Sequence, residues 1–372
     1  MLIYIDESCA DYFRGNILNP TDKEVIKFSD ILRTVRKKTN LVYASFSTLE
    51  KLKKIEYFDN EILNIIHFLI KKIQDINNIA KLIENSIIIY HEKSKTNKKG
   101  IYFDIANTNK NFDSSVFVTE NLSDNKFYIG ICNAYYNKKH SNIMKIEFNN
   151  KHGGGSDISS VIKDEVKSDN FVLSIVDSDK KYKNDSIGIN AKKSLSHHDF
   201  ENGISVLIID DVKEKENLIS PNIYKKLGLN TCITRSFYDL KLSNSKQYFL
   251  RYCYLSRDLR KDHSDEIELK IEGIELDDYR EAINMIIKNR NNKTIYNQKN
   301  VEIIYKHNTK NVLRKLNKKL HSWPPISINF EGETSNNEEE YILASYLKNT
   351  WIKIFEKIIL FGASNNVDVL NA

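Results

Sequence analysis

The stretch FVLSIVDSDKK, residues 171–181, decides how this chain is read. Its first seven residues, FVLSIVD, are an almost unbroken apolar and β-branched run, the pattern of a strand covered on both faces, as in parallel sheets packed between helices. The run stops at Asp177-Ser178-Asp179, with Lys180 and Lys181 directly behind. Such an ending is either a solvated turn or a pair of carboxylates delivered to the carboxyl edge of a sheet, where open α/β sheets bind ligands. The neighbouring segments separate the two readings.

Upstream, SSVFVTE (114–120) reads as a strand ending in Glu120, and SDNKFYIGICNAYY (123–136) as a helix that starts at Ser123 and Asp124. IMKIEF (143–148) reads as the next strand, HGGGS (152–156) as a glycine turn and SDISSVIKDEVK (156–167) as a second helix. Downstream, ISVLIIDD (204–211) is a fourth strand. This alternation predicts an α/β fold over about 113–225, with a mainly parallel four-stranded sheet flanked by helices.

Residues 1–112 open with a short strand, LIYI (2–5), and then show helical spacing through 23–37 and 60–86, so a mostly helical N-terminal region is expected. Residues 226–372 likewise read as mainly helical, with helices near 278–290, 310–320 and 338–361. In the last of these Asn337 is the expected cap, followed by Glu338, Glu339 and Glu340 in the first turn. Leu343, Leu347, Trp351, Ile354, Ile358 and Phe361 form its apolar stripe.

The 372 residues are 41% hydrophobic and 28% charged, with 4 prolines and 12 glycines, a composition that supports ordered structure nearly throughout. The net charge of +6 permits contact with polyanions without requiring it. Four dispersed cysteines, Cys9, Cys132, Cys232 and Cys253, form no CxxC pair, which argues against a zinc ribbon or a disulfide framework and fits a reducing cytoplasm. The opening MLIYIDES has no basic segment before an apolar one, so no secretory signal is expected. The long apolar pattern at 341–361 carries Lys348, Lys353, Glu356 and Lys357, which speaks against a membrane span.

Glu120, Asp177 and Asp179 all fall at the carboxyl ends of strands in this scheme. Carboxylates converging there repel one another unless a divalent cation neutralises them, so Mg²⁺ or Mn²⁺ is the natural companion. Backbone N–H groups of Gly154, Gly155 and Ser156 before a helix suit a phosphate. No GxxxxGK[ST] occurs, so any ATP-driven step belongs to a partner. His152 and His197-His198-Asp199 match no zinc spacing. In KNVLRKLNKKL (310–320), Lys310, Arg314 and Lys318 lie on a basic arc that is either a solvated face or a contact for a nucleic-acid backbone. Asp6-Glu7 behind LIYI resembles the YIDES-type openings of some ribonuclease-H-like proteins, although acids routinely end strands.

Glu120 with ENLSDNKFY (120–128), and DSD (177–179) at a later strand end, resemble the TOPRIM domain shared by topoisomerases, primases and several nucleases. The likeness is closer to TOPRIM nucleases of the overcoming-lysogenisation-defect type and to stand-alone TOPRIM partners of ABC-type ATPases in anti-phage defence. Their E-x-x-x-D-x-x-F-Y stretch is matched by Glu120, Asp124, Phe127 and Tyr128. Their glycine turn is matched by Gly153-Gly154-Gly155-Ser156, and their acidic E-N-L element by Glu216-Asn217-Leu218. The glycine that usually follows the family's glutamate is Asn121 here, a residue that tolerates left-handed backbone. The likeness covers about 113–225, with a diffuse similarity at WIKIFEKIILFG (351–362).

The resemblance implies a metal-dependent endonuclease. In it Glu120 serves as general base or metal ligand, Asp177 and Asp179 hold Mg²⁺ or Mn²⁺, and Glu216 completes a second metal position. Asp124 and the glycine turn would face the substrate; on the enzyme reading Lys180 or Lys181 would offset phosphate charge, and the basic helix, outside the stretch the likeness covers, would hold the nucleic-acid backbone. DNA or RNA and an ABC-type ATPase are the implied partners, with homo-oligomerisation left open. The alternative is a nucleic-acid-binding or regulatory TOPRIM module without catalysis. A primase or topoisomerase is disfavoured by the missing zinc-binding cysteines.

Overall fold

The computed structural model describes residues 1–140, 143–227, 247–252, 259–289, 295–296, 302–305, 309–321, 326–331 and 341–369. Two parallel sheets organise them. The first comprises β1 (Leu2–Ile5), α1 (Glu7–Gly15), α2 (Lys23–Arg36), β2 (Leu41–Ala44), α3 (Phe46–Leu52), α4 (Asn60–Lys71), α5 (Ile73–Ala80), β3 (Asn85–Tyr90) and β4 (Lys99–Asp104). Its strands lie in the order β2-β1-β3-β4, all parallel.

Helices run through 1–112 as the periodicity predicts, but the pattern does not reveal that β2, β3 and β4 join LIYI in a sheet. LVYA and SIII are buried on every side, so they carry no alternation to read. Asp6 proves to be a cap: its carboxylate accepts from Ser8 N at 2.9 Å and from Lys95 N and Ser94 Oγ. Ser45 and Asp59 cap α3 and α4 in the same way.

The second sheet is the one anticipated around FVLSIVD. It contains β5 (Asn111–Thr119), α6 (Leu122–His140), β6 (Met144–Ile146), β7 (Asn149–His152), α7 (Ile158–Lys167), β8 (Asn170–Asp177), α8 (Ile189–Leu195) and β9 (Ile204–Ile209). The order is β7-β5-β8-β9, parallel throughout, and six of the eight residues of β8 are buried. One assignment needs correcting. The strand beside β5 is not 143–148 but the polar edge segment Asn149–His152, whose exposed residues gave no apolar signal.

The C-terminal part supplies α9 (Pro221–Lys226), α10 (Gln247–Tyr252), β10 (Leu259–Arg260), α11 (Lys261–Glu268), α12 (Gly273–Asn289), β11 (Ile295–Tyr296) and β12 (Glu302–Tyr305). After these come α13 (Thr309–Leu320), β13 (Ile328–Phe330), β14 (Tyr341–Leu343), α14 (Lys348–Gly362) and β15 (Ala363–Asn365). The helix expected over 338–361 is therefore shorter: 341–343 pair with β13 as a strand and α14 starts at Lys348. The cap expected at Asn337 and the acidic turn 338–340 lie outside the described residues.

Helix α14 packs against β1 and β3 of the first sheet and against β5, β8 and β9 of the second. Sandwiched this way, it buries Trp351, Ile354, Phe355 and the whole run Ile358–Gly362, as a helix apolar on most sides must. The chain then turns directly into β15, which pairs antiparallel with β6, so the IMKIEF segment is tied to the C-terminus rather than to β5. Among the described residues no helix is long and apolar enough to cross a membrane.

Candidate functional site

Strands β5 and β8 are parallel neighbours, so Glu120, one residue past β5, and Asp177, the last residue of β8, reach the same edge. Past β9 the chain forms a short turn at Lys215–Leu218, closed by a capping box between Glu214 and Asn217. Hydrogen bonds stitch this turn and the residues just before it to the Asp-Ser-Asp loop. Lys215 N donates to Asp177 Oδ1 at 2.9 Å, Asp179 N to Lys213 O at 2.9 Å, and Ser178 Oγ to Val212 O at 2.6 Å. Asp124, in the first turn of α6, approaches from the β5 side and accepts from Asn121 N at 3.2 Å. Trp351 donates to Leu218 O at 3.1 Å, so the central helix anchors the turn from below.

At the centre of these groups stands a cation that the sequence did not announce. Lys215 Nζ lies 3.5 Å from Asp124 Oδ2, 3.7 Å from Glu216 Oε1 and 3.9 Å from Asp177 Oδ2, and its side chain is only 13% exposed. Burial works against its charge, but the surrounding Asp177, Glu216, Asp124 and Glu120 outweigh that and hold the ammonium above its ordinary pKa. Burial pushes the other way on the acids. Glu120 and Asp177 are raised, each partly relieved by Lys215, and Glu216 is raised to about 7. The buried Tyr128 phenol below is likewise held protonated by burial and by these carboxylates.

The donor set is all carboxylate oxygen, which suits a hard divalent cation such as Mg²⁺. The buried Glu216 Oε2 has no hydrogen-bond partner and is free to serve as a ligand atom. In their present places, however, no three His, Cys, Asp or Glu side chains among the described residues close into a metal shell. The oxygens are spread around an ammonium instead.

Asp179 is exposed and left-handed at φ 58°, its carboxylate against Gly188, and it raises Glu120 electrostatically. Asn121 does not use the left-handed region: among the described non-glycine residues only Lys38, Glu92, Asp169 and Asp179 do. Gly154 and Gly155 are left-handed at φ 68° and 66°. The glycine amides are largely engaged within the turn, Gly153 N to Thr119 O at 2.8 Å, Gly154 N to His152 Nδ1 at 2.7 Å and Gly155 N to Glu120 O at 3.4 Å. They brace the Glu120 corner, and Ser156 follows exposed.

Lys180 N bonds Ser178 Oγ, and Lys181 Nζ pairs with Glu266 at 2.8 Å. Arg314 and Lys318 are exposed on α13, which packs on α6 and donates from Asn317 Nδ2 to Ser123 O at 3.3 Å, beside the site. Lys310 lies in the first turn of α13, its side chain outside the described residues. His197 Nε2 meets Ser159 Oγ at 3.0 Å and His198 Nδ1 accepts from Val206 N at 3.0 Å, so both brace the fold. Cys9 and Cys132 are buried free thiols. A separate cavity of about 380 Å³ beside Lys27, Thr34 and Lys110 shares no residue with this site.

The residue that sequence reasoning missed is Lys215. Taken from the residues alone its E-K-E surroundings look like solvated surface; the E-N-L resemblance singles out Glu216 but not the lysine before it, and burial of Glu214 and Glu216 to 6% exposure each sets this turn apart from open surface. No protein-family model, curated protein or solved structure matches this chain.

Proposed function

We propose that this protein is a metal-dependent nuclease that cleaves phosphodiester bonds in DNA or RNA. The observation that carries this reading is the convergence of Asp124, Asp177 and Glu216, with Glu120 alongside, on one carboxyl edge of a parallel sheet where an internal cation already balances them. Asp177, Glu216 and Asp124 would hold Mg²⁺ or Mn²⁺, with Glu120 and Asp179 at its margin. A bound ion there would polarise the phosphate and lower the pKa of a coordinated water. Glu120, with its raised pKa, is suited to take up a proton at its carboxylate. Arg314 and Lys318 on α13 would hold the nucleic-acid backbone. An ABC-type ATPase as trigger and a role in anti-phage defence rest on the family resemblance alone.

The test is incubation of the purified protein, alone and with an ATPase encoded beside it, with plasmid, single-stranded DNA and total RNA in Mg²⁺ or Mn²⁺. Glu120→Ala and Asp177→Ala variants run in parallel. Cleavage by the wild type that both variants lose supports the reading, and cleavage that survives in both sinks the site. A second reading, a nucleic-acid-binding module without catalysis, is favoured by the neutralisation of the acids by Lys215. It predicts binding without cleavage under every condition.

A further inference from the structure

Three oxygens from three separate elements surround the Lys215 ammonium: Asp124 from α6, Asp177 from the end of β8 and Glu216 from the turn after β9. Their separations of 3.5 to 3.9 Å exceed the roughly 2.7–2.9 Å of a charge-assisted hydrogen bond. The ammonium therefore acts as a shared counter-charge rather than as the bonded partner of any one acid. Glu216 supplies an independent sign that the site is built for something else. Its side chain is buried, and Oε2 of the same carboxylate has no partner at all. A buried carboxylate oxygen left this way is costly unless another state of the protein uses it.

We propose that Lys215 keeps this site in a metal-free state as a built-in counter-cation, and that a divalent ion enters by displacing its ammonium. The inference rests on reading the site as a metal centre and goes beyond it by naming the residue that competes with the metal. Geometry makes the two occupants exclusive. A Mg²⁺ ion draws its oxygens to about 2.1 Å, so the carboxylates must close in by more than an ångström, and like charge forbids the ammonium from remaining among them. The displacement is local. The Lys215 main chain is fixed by its bond to Asp177 and by the Glu214–Asn217 box, while its four-carbon stem has the rotatable bonds through which the ammonium can be moved without the backbone.

Two measurements on the full chain test this. Calorimetric titration with MnCl₂ compares the wild type with Lys215→Met. Removing the competitor is expected to tighten Mn²⁺ binding by about tenfold or more, the scale of one lost opposing charge. In the second, lysine acetylation of the wild type is followed by mass spectrometry. Lys215 is expected to be protected without metal and to become reactive, several-fold or more, at saturating Mn²⁺. Equal or weaker Mn²⁺ binding by Lys215→Met, or protection unchanged while Mn²⁺ is bound, overturns the proposal. If Mn²⁺ binds neither folded protein, the metal-centre reading itself fails, a result distinct from equal binding. Should Lys215→Met not fold, the acetylation pattern of the wild type decides alone.

Discussion

The main-chain N–H of Lys215 donates to Asp177 Oδ1 at 2.9 Å while the ammonium of the same residue stands 3.9 Å from Asp177 Oδ2. One residue thus both positions the aspartate and neutralises it. The two contributions separate by mutation, because a side-chain change leaves the main-chain bond in place. Asp177→Asn keeps the shape and an acceptor for Lys215 N but removes a charge. We expect metal-dependent cleavage to fall at least about 100-fold, the scale on which loss of one electrostatic group at a reacting centre acts. A quantitative nuclease assay at saturating Mg²⁺, with circular dichroism to confirm folding, checks this.

The stability of the metal-free protein should fall as pH rises from 4.5 to 7. Glu216 is raised from its ordinary 4.5 to about 7 by burial, and Asp177 is raised as well. Over that window the folded state holds more protons than the unfolded one, so stability is fully present below 4.5 and lost as pH climbs through 7. Urea midpoints measured across this range in EDTA should fall steadily for the wild type. Glu216→Gln should flatten that slope, and an unchanged slope would rule out Glu216 as its source.

Trp351 links the central helix to the site. It is fully buried against Phe127, Tyr128 and Phe355 and donates to Leu218 O. Trp351→Ala should cost about 3–5 kcal/mol of stability. Trp351→Phe should cost less in packing yet still lose the bond that anchors the 215–218 turn, so Mn²⁺ affinity should drop in a protein that remains folded. Thermal melts and calorimetry on the two variants separate these effects.

Gly203 takes φ 75° directly after Asn202, and a Cβ there would meet the Phe171 ring at 2.5 Å. Gly203→Ala is therefore penalised twice, by backbone and by sterics, and should lose roughly 1–3 kcal/mol. Chemical denaturation measures it. A neutral result would mean that β8 and β9 shift apart without penalty.

The basic helix offers a test of nucleic-acid contact independent of chemistry. Arg314→Glu and Lys318→Glu should each weaken binding and reduce the slope of log affinity against log salt by about one. Mn²⁺ affinity should stay unchanged, since both residues are exposed on α13. Fluorescence anisotropy at several salt concentrations reads the slope.

The strands that are long, apolar and buried, FVLSIVD and ISVLII above all, and the acids at their ends are legible in the residues alone. A parallel strand under two layers of helix must be apolar throughout, and a chain leaving it must turn polar. The rest follows from pairing and packing between distant segments. Strands β2 and β3 of the first sheet and the polar edge strand Asn149–His152 carry no alternation of their own and exist because a neighbour offers hydrogen bonds. Tyr341–Leu343 became a strand by pairing with β13, although its apolar spacing continues that of α14. Lys215 gives the sharpest case. Glu214 and Glu216 beside it in sequence suggest open surface, while in space Asp124 from α6 and Asp177 from β8 join Glu216 around its ammonium. Charge between residues far apart in the chain is set by folding, so no local stretch could have brought Asp124 and Asp177 to that ammonium beside its own neighbour Glu216.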